Sequence, residues 1–224
     1  MNNKISTTIY LMPGMAASSK IFELINFPSY YNVIYLKWIK PNKNETIKSY
    51  AKRMSKFIND VYPVLIGVSF GGILVQEISK HIKVKKLIII SSVKSKIELS
   101  LSMKFAKKTG IHRLLPLNWI DDLEKLLLFV FGPSIKARVD AYKKYLSERD
   151  PDYLKWSINQ IINWKQIKYD DKIIHIHGEK DRVFPLNYLE RNKNFIIVKN
   201  GTHATILRDS KWFSKNLPII INKD

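Results

Sequence analysis

The sequence predicts an α/β fold in which a mostly parallel six-stranded sheet is flanked by helices and interrupted by an inserted helical segment. Three observations lead there. Short apolar runs bounded by turn residues alternate with segments of helical period over residues 1–96 and 169–224, the pattern of a parallel sheet covered on both faces. Between residues 97 and 168 the alternation stops, no strand is apparent and helix-like stretches follow one another. The chain has 224 residues of which 46% are apolar, enough for one domain with a full core and a sizeable insertion.

Lys4 to Met12 reads as the first strand, ending at Pro13-Gly14, and Tyr31 to Trp38 as the second, closed by Pro41. Between Glu45 and Asn59 the apolar residues Ile47, Tyr50, Ala51, Met54, Phe57 and Ile58 recur at helical spacing, with Asn44 available as N-cap. Tyr62 to Val68 is a third strand, Gly71 to Lys80 a helix and Val84 to Ser91 a fourth strand. In the insertion, helices are expected around Ser102 to Lys108, Ile120 to Phe131 and Ser134 to Ser147. A further helix starts at Asp150-Pro151, a cap followed by proline, and sets Leu154, Ile158, Ile161 and Ile162 on one face. Trp119, Phe129, Phe131, Tyr142, Tyr145, Tyr153, Trp156 and Trp164 all fall in this region. Most of these rings are expected to form the insertion's own core, with a few lining a pocket over the strands. Lys172 to His177 and Asn194 to Val198 complete six strands, and Lys211 to Leu217 forms a short terminal helix.

The formal net charge is +19, and clustered cations bind phosphates. Only seven of the 38 basic residues are Arg, however, and the 31 Lys are scattered beside abundant Ile and Asn. Fixed bidentate phosphate recognition favours Arg, so the expectation is a solvated Lys surface without specific nucleic-acid binding, at most weakly drawn to anionic surfaces. The chain has no cysteine, which removes disulfides, thiolate metal sites and a cysteine nucleophile together. Its longest apolar runs, such as Leu126 to Phe131, are too short to span a bilayer, and Met1 to Ser6 has no signal-type stretch. A cytoplasmic location is expected.

Chemistry is concentrated at the ends of the expected strands. The third runs into Gly67-Val68-Ser69-Phe70-Gly71-Gly72 and straight on to a helix. Small residues two before and two after the serine permit a sharp strand-to-helix turn, which lifts the hydroxyl above the sheet edge. The same turn aims the Phe70 backbone N–H, at a helix start, toward the place where an oxyanion would form. A serine hydroxyl needs a positioned base. His203, in Asn200-Gly201-Thr202-His203 after the last strand, is the histidine best placed to supply it. The acid that would orient it is Asp181, in Gly178-Glu179-Lys180-Asp181-Arg182-Val183-Phe184-Pro185 after the fifth strand, with Glu179 the nearest rival. His175 and His177 share one strand face. A two-histidine metal site lacks a third ligand at a suggestive spacing, so packed, hydrogen-bonded side chains are expected there and no metal is assigned.

Taken in order, the nucleophile turn Gly67 to Gly71, the acid loop Gly178 to Pro185 and the histidine turn Gly201 to His203 resemble the α/β-hydrolase superfamily, in its serine hydrolases with a helical cap. The resemblance covers nearly the whole chain, and residues 97–168 are then the cap. It implies an oxyanion donor in the loop after the first strand. Pro13-Gly14-Met15-Ala16 resembles that loop and makes the Met15 backbone N–H the partner of Phe70. Two departures stand out: the usual two opening strands are missing, which leaves a sheet edge exposed or in contact with a partner, and the oxyanion loop lacks the His-Gly pair of many members. The serine argues against dehalogenases and epoxide hydrolases, which carry aspartate in the turn. The implied activity is cleavage of an ester, thioester or similar acyl bond in a small, partly hydrophobic substrate through an acyl-enzyme, with no cofactor. Related scaffolds use the same triad for acyl transfer to an alcohol or for carbon–carbon bond cleavage, and a non-catalytic ligand-binding module is the alternative from another class.

Overall fold

The computed structural model describes residues 7–110 and 143–223. Among these, parallel strands β1 (Thr7–Met12), β2 (Tyr31–Tyr35), β3 (Val64–Val68), β4 (Lys86–Ile90), β5 (Ile174–Gly178) and β6 (Phe195–Val198) make one sheet in the order β2-β1-β3-β4-β5-β6. The chain steps outward from β1 to β2 and then returns to the other side of β1 to build β3 through β6 in succession. The reversal falls between β1 and β3, and in open α/β sheets the crevice beyond the carboxyl ends of two such strands is where ligands bind. Central β3 is buried along its whole length, which is why it reads as an unbroken apolar run.

Alternate residues serve the two faces. Ile9, Leu11, Ile66, Ile88 and Ile176 pack on one side with Phe213, Leu217 and Ile221 of the terminal helix. Tyr10, Met12, Leu65 and Ile89 pack on the other with helices α1 (Ile47–Ser55) and α2 (Phe70–Ile78). Helix α3 (Leu101–Thr109) opens the expected insertion, and α4 (Pro151–Ile162) closes it. Asp150 caps α4 by accepting the Tyr153 N–H at 2.7 Å, with Pro151 in the first turn as expected. The short α5 (Thr205–Arg208) and the longer α6 (Ser210–Asn222) end the chain. Among the described residues no helix is long and apolar enough to cross a membrane.

Three details differ from expectation. Thr46, not Asn44, caps α1: Thr46 is extended and its side chain accepts the Ser49 N–H, whereas Asn44 sits at φ 58° in the turn before it. The terminal helix does not stop at Leu217 but runs through Pro218 to Asn222. Proline inside a helix costs about 3 kcal/mol; burial of Leu217 and Ile221 on the sheet offsets it, and Tyr31 Oη holds the far end through Pro218 O at 3.3 Å and Asn222 Oδ1 at 3.0 Å. The described aromatics of the insertion's end pack on the sheet domain as well as on each other, Tyr153 and Trp156 lying 6.4 Å apart. Trp156 lies 4.5 Å from Tyr50, Tyr153 lies 5.3 Å from Trp38, and the Trp164 indole N–H donates to Glu77 Oε1 at 2.8 Å. A helix that re-enters the sheet domain has the larger apolar surface of α1 and α2 to bury against. Trp119, Phe129, Phe131 and Tyr142, the helix over Ile120 to Phe131 and most of Ser134 to Ser147 lie outside the described residues.

Candidate active site

The turn between β3 and α2 is as tight as its glycines allow. A Cβ on Gly67 would sit 2.3 Å from Gly71 O, and one on Gly71 would sit 2.3 Å from Pro13 O, so neither position accepts any other residue without movement. Ser69, at φ 53° and ψ −120°, holds a backbone conformation that side chains rarely adopt. Such strain persists only when its surroundings over-determine it. Here the Ser69 N–H donates to Ile90 O at 2.9 Å, and Ser69 O accepts from Gly72 N at 2.9 Å and from Ser92 Oγ at 2.7 Å. The serine itself is half-buried, so its hydroxyl remains reachable.

Loops from two further strands converge on that hydroxyl. His203 Nε2 lies 2.9 Å from Ser69 Oγ, and His203 Nδ1 lies 2.9 Å from Asp181 Oδ2. A carboxylate only accepts, so Nδ1 carries the ring proton and Nε2 receives the serine O–H. The loops after β5 and β6 are bound to each other by Glu179 N to Val198 O at 3.0 Å and Lys180 N to Gly201 O at 2.7 Å. Glu179, the rival acid, spends its carboxylate on the Asn200 N–H at 2.8 Å. Phe184 meets the His203 ring edge-on at 5.7 Å. All three sequence-predicted side chains, Ser69, Asp181 and His203, therefore come together.

Asp181 is almost fully buried, and burial alone pushes its carboxyl up. The attraction a protonated His203 would exert, with hydrogen bonds from His177 and His203, outweighs burial and holds it well below the usual carboxylate range. Its other oxygen accepts two backbone N–H groups, Val183 at 2.8 Å and Phe184 at 3.0 Å. His177, which sequence reasoning placed only as a packed residue, stands behind it with Nε2 at 3.2 Å from Asp181 Oδ2. The His175 and His177 rings face each other through a 3.1 Å contact between Nε2 and Nδ1 and are fully buried. The signal was present in the sequence as two histidines on one strand face, six and four residues ahead of the acid.

Phe70 is the first residue of α2, where an N–H has no partner within the helix. Met15 lies in the loop after β1, whose neighbour Gly14 is so close to Ser69 that a Cβ on it would be 3.3 Å from Ser69 Cβ. That loop folds back by Ala17 N to Gly14 O at 3.2 Å and carries Ala16 at φ 63°. The loop that carries Met15 and the start of α2 thus both adjoin Ser69 at the sheet's topological switch point. Among the described residues no cluster of three or more His, Asp or Glu is arranged to hold a metal ion.

No protein-family model matches the sequence, and no curated protein matches it either. Solved structures do. A hydrolase from Oleispira antarctica superposes with a TM-score of 0.73 at 14% identity, over 97% of this chain and 92% of that one. A hydrolase from Pseudomonas aeruginosa gives 0.73 at 12% identity, over 97% and 91%. A lipase-esterase related protein from Clostridium acetobutylicum gives 0.66 at 22% identity, over 97% and 96%. Identities this low speak for shared architecture alone, and with the strand order and the strained serine turn they establish that the chain adopts the α/β-hydrolase fold.

Proposed function

We propose that the protein is a serine hydrolase that cleaves an ester, thioester or similar acyl bond in a small, partly hydrophobic substrate. The observation that carries this reading is the unbroken chain Ser69 Oγ, His203 Nε2, His203 Nδ1, Asp181 Oδ2, with both links at 2.9 Å. Similar folds bear the names esterase, lipase and hydrolase, and those names agree with the chemistry this chain's own residues allow. In the proposed mechanism His203 takes the Ser69 proton as Oγ bonds to the carbonyl carbon. The oxyanion is received by the Phe70 and Met15 backbone N–H groups, preorganised and requiring no reorientation. Collapse breaks the acyl bond, and His203 returns its proton to the leaving group. A water molecule, deprotonated by the same histidine, then releases the acid and restores Ser69. Asp181 stays ionised throughout and stabilises the imidazolium.

Labelling with a fluorophosphonate and turnover of short nitrophenyl esters test the reading. Labelling and turnover that both vanish in Ser69→Ala support it, with Asp181→Asn expected to lower kcat by about a thousandfold or more. Folded wild-type protein that takes no label and hydrolyses no ester overturns it.

A further inference from the structure

We propose that His177, anchored by His175, is a positioning residue for the candidate triad: it holds the Asp181 carboxylate and the turn that follows in the arrangement that serves His203. The inference rests on the hydrolase reading above and extends it to a pair of histidines that reading does not use. His177 Nε2 faces two groups that only accept, Phe184 O at 2.8 Å and Asp181 Oδ2 at 3.2 Å. The proton therefore sits on Nε2. His177 grips the acid twice over, once through Oδ2 and once through the Phe184 peptide, whose N–H binds Asp181 Oδ1 at 3.0 Å. With Val183 N on Oδ1 and His203 Nδ1 on Oδ2, the carboxylate has four donors around it, and rotation about its side-chain bonds would break all of them.

The ring of His177 needs its own support, and His175 provides it two residues back on the same face of β5. Burial, then the repulsion that a protonated His177 and Lys94 would exert, pushes the His175 pKa well below its ordinary value. A neutral His175 with its proton on Nε2 donates to His177 Nδ1 at 3.1 Å. The donors then converge on Asp181 from two sides: His175 to His177 and His177 to Phe184 and Asp181 on one, Ser69 to His203 and His203 to Asp181 on the other. Phe195 of β6 closes the far side of the pair with an edge contact to His175 at 4.6 Å. The ionisable groups facing the pair are Asp181 on the β5 loop, His203 beyond it on the β6 loop, and Lys94 on the loop after β4.

Removing the His177 donor has two consequences. The acid loses part of its orientation, which lowers kcat, and the charge on Oδ2 is left to His203 alone, which makes the imidazolium easier to form. In His177→Leu, kcat per fluorophosphonate-titrated site is expected to fall about tenfold with KM little changed. The acid limb of its pH–rate profile is expected to move upward by about half a pH unit. His177→Gln, whose amide N–H reaches the same place, is expected to recover most of both. A residue important only for folding would lower the titrated fraction and leave kcat per site and the pH midpoint where they were, and that result overturns the inference. Nitrogen-15 spectra of histidine-labelled wild-type protein give a readout that does not depend on the variants folding: a protonated Nε2 on His177 supports the assignment, and an unprotonated one overturns it. Wild-type protein that takes no label removes the hydrolase reading underneath. Active, labelled wild type with an indistinguishable His177→Leu removes this inference alone.

Discussion

Trp38 and Phe70 lie face to face, with ring centroids 5.1 Å apart and planes 8° from parallel. The same Trp38 donates its indole N–H to Gly14 O at 2.9 Å. One side chain thus ties the residue after Ser69 to the loop holding Met15, the two segments that offer the candidate oxyanion donors. Trp38→Phe keeps the stacked ring and loses the bond to Gly14. We expect a stability loss of about 1 kcal/mol and a tenfold fall in kcat on the order expected when a positioned donor shifts, read by urea unfolding and by ester turnover.

Gly71 lets the start of α2 touch the end of β1: its Cβ would meet Pro13 O at 2.3 Å and Met12 O at 2.6 Å, all backbone. Gly71→Ala is expected to destabilise by about 2–3 kcal/mol and to abolish fluorophosphonate labelling, because the chain must shift on both sides of Ser69. Gly110→Ala is the contrast. Gly110 ends α3 at φ 73° with open space around its Cα, so the substitution costs about 1 kcal/mol from backbone strain and leaves labelling intact.

Acid sensitivity should trace to His175. Its folded-state pKa lies well below the ordinary value because burial disfavours the charged ring. The unfolded chain takes up that proton near pH 6.5 and the folded one does not, so stability is full above this pH and declines as pH falls below it, by up to about 1.4 kcal/mol per pH unit. Asp181 acts lower down: its depressed pKa contributes stability that is present above about pH 4 and lost as pH drops further. Urea midpoints between pH 7.5 and 5 in wild type and His175→Phe provide the check, with the shallower slope expected in the variant.

Lys94 has no exposed surface, and its ammonium group is held by Glu190 O at 2.7 Å, Glu98 Oε1 at 3.5 Å and the Tyr169 ring at 4.4 Å. Burial pushes the Glu98 carboxyl up, with the Lys94 N–H and charge opposing. Lys94→Met leaves that carboxyl buried without its cation and is expected to cost about 3 kcal/mol. Lys94→Met combined with Glu98→Gln should recover part of the loss, measured by denaturant unfolding at neutral pH.

Local chemistry made the framework readable in the sequence. Strand, turn and helix around Ser69 follow one another within a dozen residues, and glycine spacing betrays the sharp bend. Asp181 and His203 were legible because each follows an apolar run at a loop. The supports were not. Trp38 reaches Gly14 across 24 residues, and Trp164 reaches Glu77 across 87; such pairs depend on sheet register and helix rotation, which residue periodicity does not encode. The N-cap error at α1 is of the same kind on a smaller scale, since Asn44 and Thr46 both suit the position and the turn at Asn42–Glu45 decides between them. Likewise the extension of α6 past Pro218 comes from burial against the sheet, which overrides propensity.

Ser69 and His203 stand 134 residues apart in the chain, and the histidine arrives on the loop after β6. During synthesis the turn of the proposed nucleophile leaves the ribosome long before its proposed base is made. On the proposed mechanism, a chain broken or halted before Gly201 carries the hydroxyl without its base, so such fragments are expected to be chemically silent. Reactivity toward a fluorophosphonate would then count molecules in which β6 is made and assembled, and its time course during refolding would record the arrival of β6 beside β5.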